Sequence, residues 1–449
     1  MLSGQSIPRT TYLASYSIPV EGMDALQFLQ HAQHHPRFLW QQHDFTLAGF
    51  GVTAELFAYG ENRFKRIQQD AQDLFAEAIV AGNPPSWAGT KLFGGFAFRS
   101  DFVPDEAWAN FYPAHFVLPH FQLVSRHGQT WLTINTQVPS DSPIEDLQAN
   151  LHDALLRLVA DDVALTAQPQ QRPQEIRYPL SYTEWEGILN ASIQQMQEGV
   201  LNKVVLSRVA EITFSDAPNL LTSLAYLDQA YPECYRFLFE PVPHHAFLGA
   251  TPELIVSVEQ GNLFTMGLAG SIARGATPEH DQQLADQLLH DPKEAYEHQL
   301  VVEQIEARLR ELGLPVVIDE RQIMRLRNIQ HLYTPIHATL RQHTILELLE
   351  VLHPTPALGG QPSALAMQLI RNLESVTRGW YAAPIGWFDA HGDGQFGVGI
   401  RSAVANNRRV WLYAGGGIVA KSRPQNEWNE TALKFKPMLN AFGAGDYAQ

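Results

Sequence analysis

The feature that most limits the fold of this chain is a series of strand-type segments that follow one another across short turns. Segments rich in β-branched and aromatic residues occur at 254–258, 263–269, 329–341, 382–389, 395–403 and 409–414. Helical patterns lie beside them at 278–312, 361–373 and 424–440. Strands joined by short turns pair in antiparallel fashion, because a parallel pair needs a long crossover connection. We therefore predict an α+β fold with two large, mostly antiparallel sheets flanked by helices.

A change in composition divides the chain. Helical patterns at 62–80 and 142–160 flank strand patterns at 91–102, 115–126 and 129–138. Residues 161–181 then lose all periodicity and are rich in Gln and Pro, which is typical of a boundary. We predict a less typical N-terminal region, 1–165, and a region at 182–445 that carries the candidate site. Because large sheets can absorb a chain of 449 residues, we expect the two regions to form one structural unit.

Two local patterns mark the start of the second region. Ser181 and Glu184 have the spacing of a capping box, which predicts that a helix begins at 182 and runs to about 199. The segment 202–214, with the sequence NKVVLSRVAEITF, then has the pattern of a long strand.

Charge and composition exclude several classes of function. The formal net charge is −16, and no cluster of Lys and Arg interleaved with aromatic residues counters it, so we expect no nucleic-acid partner. The single cysteine, Cys234, excludes an internal disulfide and fits a reducing compartment. No apolar run is long enough to cross a membrane, and we expect a cytoplasmic protein. An anionic substrate would need a bound cation or a local basic pocket to overcome the overall charge.

Two segments resemble nucleotide-binding motifs in sequence, but each lacks a feature that its motif requires. The sequence GDGQFG at 392–397 is followed by a strand pattern, so no helix N-terminus would face a pyrophosphate, and a hairpin turn explains it better. The sequence GGGIVAKS at 415–422 lacks the glycine that a P-loop requires before its lysine. Neither pattern predicts a nucleotide site.

A helix with two acidic residues on one face is predicted at 291–309. Pro292 lies in its first turn, and Glu294 and Glu297 are three residues apart. A solvated outer face is the simpler interpretation of such a pair. However, Glu297 lies close to a stripe of core-type residues, and a carboxylate at the edge of a core needs a partner.

The C-terminal helix repeats this pattern. Glu427, Glu430 and Lys434 fall within one helical face, and Ser422 with Gln425 has the spacing of a capping box. Taken alone, Glu430 and Lys434 form an ordinary ion pair of about 0.3–0.5 kcal/mol. Two Glu-x-x-Glu helices together supply four carboxylates, which are the oxygen ligands that Mg²⁺ prefers. The sequence therefore predicts a magnesium site with room for an anionic substrate.

Four further features could take part in catalysis or substrate binding. Lys203 interrupts an apolar strand, where loss of water would favour the neutral amine of a general base, although a lysine on an edge strand is an equal alternative. Glu253 follows a proline at a strand start, where burial would keep a general acid protonated. The glycines at 415–417 could expose amides to an anion or simply form a flexible turn. Arg401, on the preceding predicted strand, could clamp a carboxylate.

Nine ordered blocks then match one known family. They are KVVLSR, GATPELIV, LAGS, DPKEAYEH, IQHLYTPIHATL, HPTPALGG, GWYAAPIGW, GIRSAV and AGGGIVAKSRPQNEWNETALK. In this order they resemble the chorismate-utilising enzymes, closely over 182–440 and loosely before that. The resemblance implies the fold of anthranilate synthase component I, with chorismate as substrate and Mg²⁺ as cofactor.

The resemblance also implies a role for each matching residue. Lys203 matches the base that activates water, and Glu253 the acid that protonates the departing hydroxyl. Glu297 and Glu430 match direct Mg²⁺ ligands, and Glu294 and Glu427 match outer ligands. The positions matching those that line the substrate are Ala269, Gly270, Ser271, His331, Ala357, Tyr381, Arg401, Gly415, Gly417 and Lys434.

Two positions, Ala269 and Ala357, help to choose among family members, and a third, Ser271, departs from the usual residue. Ala269 stands where aminodeoxychorismate synthases carry a nucleophilic lysine, so water is the expected nucleophile. Ala357 stands where anthranilate and salicylate synthases usually carry threonine, which favours a product that keeps its pyruvyl group. Ser271 replaces a commoner threonine and keeps the hydroxyl.

The expected reaction converts chorismate into isochorismate, with menaquinone biosynthesis as the favoured pathway and siderophore biosynthesis as the alternative. We expect a monomer without an amidotransferase subunit. A salicylate- or anthranilate-forming enzyme and a non-catalytic chorismate-binding protein are the other hypotheses.

Overall fold

The structure is a computed structural model that describes residues 11–32, 34–139, 144–160 and 171–447. Two large sheets organise these residues. The larger sheet contains β1 (Thr11–Val20), β2 (Arg37–Gln42), β3 (Phe45–Phe50), β5 (Ile79–Ala81), β8 (Phe121–Arg126), β9 (Gln129–Pro139), β10 (Glu175–Arg177), β11 (Lys203–Thr213), β12 (Tyr235–Val242), β13 (His245–Thr251), β19 (Gly360–Gln361), β22 (Ser402–Asn406) and β23 (Arg409–Val419). The smaller sheet contains β4 (Ala54–Ala58), β6 (Lys91–Phe96), β7 (Ala114–Leu118), β14 (Leu254–Glu259), β15 (Asn262–Ala273), β16 (Val317–Ile318), β17 (Gln322–Arg325), β18 (Ile329–Thr339), β20 (Pro384–Asp389) and β21 (Gly394–Val398).

Antiparallel pairing dominates both sheets, since among the described strands only the short pair β1 and β5 is parallel. The predicted α+β class with mostly antiparallel sheets is confirmed. Strand β2 pairs with β12 in the larger sheet, and β6 pairs with β20 in the smaller one. Both sheets thus contain strands from each sequence region. The predicted boundary at 161–181 falls partly outside the described residues.

Ten α-helices and two short 3₁₀ helices accompany the sheets in the described ranges. The α-helices are α1 (Ala25–Gln30), α2 (Arg63–Phe75), α3 (Ile144–Ala160), α4 (Tyr182–Gln197), α5 (Leu220–Ala230), α6 (Pro278–His290), α7 (Pro292–Glu311), α8 (Ile345–Leu352), α9 (Ser363–Leu373) and α10 (Pro424–Ala441). The 3₁₀ helices are Ser86–Ala88 and Gly445–Tyr447. No helix in these parts of the chain is long and apolar enough to cross a membrane.

Local signals decide where the helices begin. The predicted capping box is present in α4, where the Ser181 side chain accepts from the Glu184 amide and the Glu184 side chain accepts from the Ser181 amide. The helical pattern at 278–312 is two helices, because Asp291 ends α6 and also caps α7 ahead of Pro292.

Several sequence predictions at element ends are wrong. The strand pattern at 395–403 is two strands in different sheets, β21 and β22, so Arg401 lies in the link between them. The pattern at 91–102 stops being a strand after Phe96. The predicted capping box of α10 does not form, since its cap is Arg423 without a side-chain bond, and the Ser422 hydroxyl instead accepts from the Val419 amide.

The hydrophobic core has two parts. One cluster lies between the sheets and contains aromatic residues from both of them, such as Phe93 and Phe239, whose ring centroids are 6.1 Å apart. The other cluster lies between the larger sheet and helices that include α1, α5 and α10. Burial on both faces explains why the interior of β13, from Ala246 to Ala250, is apolar throughout.

Candidate active site

A cavity of about 810 Å³, including its open mouth, lies where β11 and β23 of the larger sheet meet β15 and β18 of the smaller sheet, with α7 and α10 beside them. Its lining of apolar side chains with a few converging charged groups is typical of a small-molecule site. All of the predicted site residues except Glu427 line it, namely Lys203, Glu253, Ala269, Gly270, Ser271, Glu294, Glu297, His331, Ala357, Tyr381, Arg401, Gly415, Gly417, Glu430 and Lys434. The fold thus brings together residues that lie as much as 231 positions apart in the chain (434 − 203 = 231).

Lys203, the first residue of β11, is 1% exposed and points into the cavity. Its Nζ donates to the Glu297 Oε1 at 2.7 Å. Gly417 on the neighbouring strand β23 makes room for this pair, because a Cβ there would lie 2.5 Å from the Glu297 Oε1 and 2.9 Å from the Lys203 Cε. A side chain at position 417 would therefore push this ion pair out of its present position.

Glu253 precedes β14 and is 7% exposed. Burial raises the pKa of its carboxyl group to about 7, and the nearby charges of Lys203, Lys434 and Arg401 limit the rise. A large fraction of Glu253 is therefore protonated at neutral pH. This is the protonation state that a general acid needs.

Helix α7 brings Glu294 and Glu297 to the cavity. The Glu294 Oε2 accepts from the Ser271 amide at 3.1 Å, and it lies 3.2 Å from the place where a Cβ on Gly270 would stand. Gly270 has a φ of 79°, which the bulge between Ala269 and Ser271 in β15 requires. The bulge therefore turns a backbone amide toward a carboxylate of α7.

Helix α10 brings Glu427 and Glu430 to the same place. The Lys434 Nζ donates to the Glu430 Oε1 at 2.7 Å and to the Gly415 carbonyl at 2.9 Å. Glu427 is 2% exposed and lies behind the cavity wall, with its Oε2 3.4 Å from the Cβ that Gly416 lacks. Lys434 thus contacts the cavity wall as well as its helical neighbour.

The four carboxylates are close enough to influence one another. Burial, Glu430 and Glu297 raise the pKa of Glu427 to about 7, against the effect of Lys293. Burial raises the pKa of Glu294, and Glu297 and Glu430 raise it further. Burial would also raise the pKa of Glu430, but Lys434 holds it below its usual value. Negative charge is therefore in excess at this wall.

His331 on β18 lies in the cavity wall as a neutral imidazole. Burial and the nearby charges of Arg401 and Lys434 hold its pKa well below the usual value. Its Nε2 lies 3.4 Å from the Arg401 Nη2, which can only donate, so the proton belongs on Nδ1. The Nδ1 lies 2.9 Å from the Ser271 hydroxyl and 3.3 Å from the Gly270 carbonyl. His331 therefore holds Arg401 in place without adding charge.

Two residues of the wall have strained backbones. Arg401 has a φ of 49° and Ala382 a φ of 60°, a region that side chains rarely adopt outside glycine. Such conformations cost of the order of 1–3 kcal/mol and are retained where the surrounding structure requires them. Both residues line the cavity.

The aromatic part of the wall is built by two stacked rings. Tyr381 and Tyr413 lie with ring centroids 5.0 Å apart and an interplanar angle of 22°. The Tyr381 hydroxyl lies 3.0 Å from the place where a Cβ on Gly415 would stand. Gly415 therefore lets the tyrosine hydroxyl approach the strand backbone.

The residues that distinguish family members also reach the cavity. Ala269 and Ala357 present methyl groups to it. The Nδ1 of His298, a buried residue of α7, lies 3.2 Å from the Ala269 carbonyl, and its Nε2 lies 2.7 Å from the Thr334 hydroxyl. These contacts hold the Ala269 segment against α7.

Sequence reasoning missed the apolar part of the wall. The residues concerned are Val205, Pro252, Leu268, Leu358, Ala382, Ile400, Tyr413 and Ala414. Those that lie in strands, such as Val205 in β11 and Leu268 in β15, follow the same pattern as the core residues of these strands, so periodicity does not separate them. Adjacency to a predicted site residue was the one usable signal, as for Pro252 beside Glu253.

The carboxylate side of the cavity, formed by α7 and α10, suits a hard divalent cation. It offers carboxylate oxygens from two helices and an excess of negative charge. Within the described ranges, no three His, Cys, Asp or Glu side chains are already arranged as a metal site. Each carboxylate instead contacts a lysine, and the pairs are Lys203 with Glu297, Lys293 with Glu294 and Glu427, and Lys434 with Glu430.

Comparison with known proteins identifies the family and its curated relatives. The family model described as "Chorismate binding enzyme" matches residues 4–443. A curated protein from Pseudomonas aeruginosa, the salicylate biosynthesis isochorismate synthase, is 34% identical over 98% of this chain and 92% of its own length.

Two solved structures share the fold. MenF, the menaquinone-specific isochorismate synthase from Escherichia coli, superposes with a TM-score of 0.81 at 28% identity and covers 98% of this chain and 96% of its own. Anthranilate synthase component I from Streptococcus pneumoniae superposes with a TM-score of 0.70 at 21% identity, covering 98% of this chain and 94% of its own. The predicted anthranilate synthase component I fold is confirmed.

The fold and the cavity are those of a chorismate-binding enzyme, and the chain belongs to that family. Within that family, the relatives from Pseudomonas aeruginosa and Escherichia coli described above, which the chain covers over 92% and 96% of their length, are isochorismate synthases.

Proposed function

We propose that this protein is an isochorismate synthase, an isomerase that converts chorismate into isochorismate with the help of Mg²⁺. The observation that carries the proposal is that Lys203 and Glu253 line one cavity together with three of the four carboxylates. A base, a protonated acid and a cation-binding wall are the groups that a hydroxyl exchange on an anionic ring requires.

The reaction replaces one hydroxyl group by another at a different ring carbon. Lys203 accepts a proton from water, whose oxygen bonds to C2 of chorismate. The two ring double bonds shift, and the C4–oxygen bond breaks as Glu253 gives its proton to the departing hydroxyl. One water enters and one leaves, so the product is an isomer. The raised pKa of Glu253, which burial causes, supports its role as the acid.

Lys203 must be released before it can act as a base. Its Nζ forms an ion pair with Glu297 in this structure, and the ammonium group of such a pair has no lone pair with which to accept a proton. Glu297 therefore has to turn away from Lys203 during the cycle. Glu297 and Glu430, together with Glu294 and Glu427, would hold Mg²⁺, which would supply positive charge to attract the ring carboxylate of the substrate. Arg401 and Lys434 add further positive charge at the wall.

The nature of the wall favours an isomerase over a lyase. Ala269 offers no amine, so a covalent route through a lysine is closed and water is the nucleophile. Since water is used, no ammonia-supplying subunit is needed. Ala357 offers no hydroxyl group to assist loss of pyruvate from the ring.

For the pathway, we favour menaquinone biosynthesis, because the menaquinone-specific MenF of Escherichia coli shares this fold over 98% of this chain. The Pseudomonas relative serves salicylate biosynthesis, which makes a salicylate route the second candidate. Complementation separates the two. The gene is expected to restore menaquinone to a host that lacks its own enzyme at this step, whereas rescue of salicylate formation alone would favour the second route.

The direct test is to incubate purified protein with chorismate and Mg²⁺ and to identify the products by chromatography. We expect isochorismate, and no pyruvate with or without ammonia. Release of pyruvate would instead indicate a salicylate- or anthranilate-forming enzyme. Tight chorismate binding without any product would indicate a non-catalytic binding protein.

Two substitutions test the assigned roles. Lys203→Ala and Glu253→Gln should each lower kcat by roughly 10²- to 10⁴-fold, which is the usual contribution of a positioned acid or base. Lys421→Ala, at an exposed turn residue, is the control and should keep full activity. Full activity in either of the first two variants would contradict the mechanism.

A further inference from the structure

Lys293, near the start of α7, lies between carboxylates of two different helices. Its Nζ is 3.2 Å from the Glu294 Oε1 on its own helix and 3.4 Å from the Glu427 Oε1 on α10. The lysine side chain is 28% exposed, whereas that of Glu427 is 2% exposed. One ammonium group thus bridges the two helices that carry the four carboxylates.

Three lysines pair with the four carboxylates, and Lys293 differs from the other two in its position. Lys203 and Lys434 both line the cavity, and each pairs with one carboxylate at 2.7 Å. Lys293 is not among the residues that line the cavity, and its two contacts are longer. Its charge therefore acts on the carboxylates from outside the space that the substrate would fill.

Charge balance shows what Lys293 does for the cluster. Among the described residues, Glu294 and Glu427 form ion pairs with Lys293 alone, so removing this ammonium group would leave both carboxylates without an ion-pair partner. A divalent cation that approaches the same oxygens would meet the ammonium as a competitor and as a like charge a few ångströms away. Both effects oppose binding of the cation, while the ammonium itself keeps the carboxylates together when no cation is bound.

We propose that Lys293 is a tethered counter-ion that competes with Mg²⁺ for Glu294 and Glu427 and thereby sets the affinity of the metal site. This inference rests on the magnesium site of the proposed function. It assigns Lys293 no contact with the substrate. The lysine keeps α7 and α10 in register without metal, and it makes the metal bind more weakly and more reversibly than the four carboxylates alone would bind it.

The test is to measure Mg²⁺ binding by titration calorimetry with full-length, metal-free protein at low ionic strength and without substrate. Lys293→Met should lower the Kd for Mg²⁺ by about tenfold, because a neighbouring positive charge is lost. Lys293→Gln, which keeps donor groups but not the charge, should behave in the same way. Lys293→Arg keeps the charge and should stay within about twofold of the original protein.

The matched control is Lys436→Met, which removes an exposed lysine of α10 and changes the net charge of the protein by the same amount. It should leave the Kd unchanged. A Kd that is equal or higher in both Lys293→Met and Lys293→Gln would overturn the inference and make Lys293 a residue that only positions the ligands. If the original protein bound no Mg²⁺ that Glu430→Gln abolishes, the proposed metal site itself would be wrong.

A second readout does not depend on calorimetry. Metal-free Lys293→Met should melt at a lower temperature than the original protein, because its carboxylates are less well balanced, and saturating Mg²⁺ should raise its Tm by a larger amount. An equal Mg²⁺-induced rise in both proteins would also contradict the proposal.

Discussion

Strand β11 has buried charges near both of its sides, and the two sets differ in how they are paired. Toward the cavity, Lys203 belongs to a cluster in which carboxylates outnumber ammonium groups. At the opposite edge of the strand, Glu374 and Arg378 form a single pair at 2.6 Å, with both side chains at most 5% exposed. The group at the cavity has more carboxylates than ammonium groups, whereas the Glu374–Arg378 pair has one charge of each sign.

The Glu374–Arg378 pair also satisfies its remaining hydrogen bonds. Glu374 accepts from the Ser207 amide at 2.7 Å, and Arg378 donates to the Val205 carbonyl at 2.8 Å and to the Leu358 carbonyl at 3.0 Å. The two side chains thus take the place of a neighbouring strand along an edge of β11. They also fix Val205 and Leu358, which line the cavity on the other side.

The comparison shows how buried charge can be divided between stability and chemistry. A fully paired and hydrogen-bonded charge holds the backbone in one position, and it has nothing left to offer a ligand. An unbalanced cluster is costly by itself, and this cost is what a cation or substrate can relieve when it binds. Three predictions on stability test the distinction, and their expected effects decrease in order.

The largest effect is expected at the balanced pair. Arg378→Met leaves the Glu374 carboxylate buried without a partner, which should lower the free energy of unfolding by about 3–5 kcal/mol. The midpoint of chemical denaturation measures it. The double variant Glu374→Gln with Arg378→Met has no buried charge and should recover part of the loss. An unchanged midpoint in Arg378→Met would show that the Glu374–Arg378 pair does not stabilise the fold.

An effect of intermediate size is expected for Glu253→Gln, and here the free energy of unfolding should rise at high pH. Burial raises its pKa from 4.5 to about 7, so between these pH values the folded protein binds more protons than the unfolded chain. The free energy of unfolding therefore falls as pH rises from about 4.5 to about 7, by about 3 kcal/mol, and is constant with respect to this group above that range. Glu253→Gln removes the dependence.

Metal-free Glu253→Gln should then be more stable than the original protein at pH 8 and equally stable at pH 4.5. Denaturation midpoints at the two pH values measure this difference. A variant that is less stable at pH 8 would show that the charged carboxylate is held by favourable contacts.

The smallest effect on stability is expected for Glu430→Gln. The variant loses the ion pair with Lys434 and also loses the repulsion of Glu427, so the net change should be less than about 1 kcal/mol. Its affinity for Mg²⁺ and its activity should nevertheless fall together by more than about tenfold, because a direct ligand is gone. Calorimetry and the product assay check this. A surface ion pair without a role in metal binding would leave both unchanged.

Local patterns gave correct predictions where a short segment decides the outcome. The Glu-x-x-Glu spacing placed Glu294 with Glu297, and Glu427 with Glu430, on helical faces that do meet, and the capping box at Ser181 is present. Prediction failed where a distant partner decides. The strand pattern at 395–403 gave no sign that the chain changes sheets at Arg401. Lys293 and Arg378 were overlooked because their partners, on α10 and on β11, are remote from them in sequence.

The sequence by itself determined the family, the α+β class and which residue types are present for the chemistry, because these depend on ordered motifs and on the repeat of helix and strand. Only the tertiary structure decided which charges are balanced. The contact between Lys203 and Glu297 spans 94 residues and that between Lys293 and Glu427 spans 134. Such contacts, and the burial that raises the pKa of Glu253, result from the packing of two whole sheets, which no local pattern encodes.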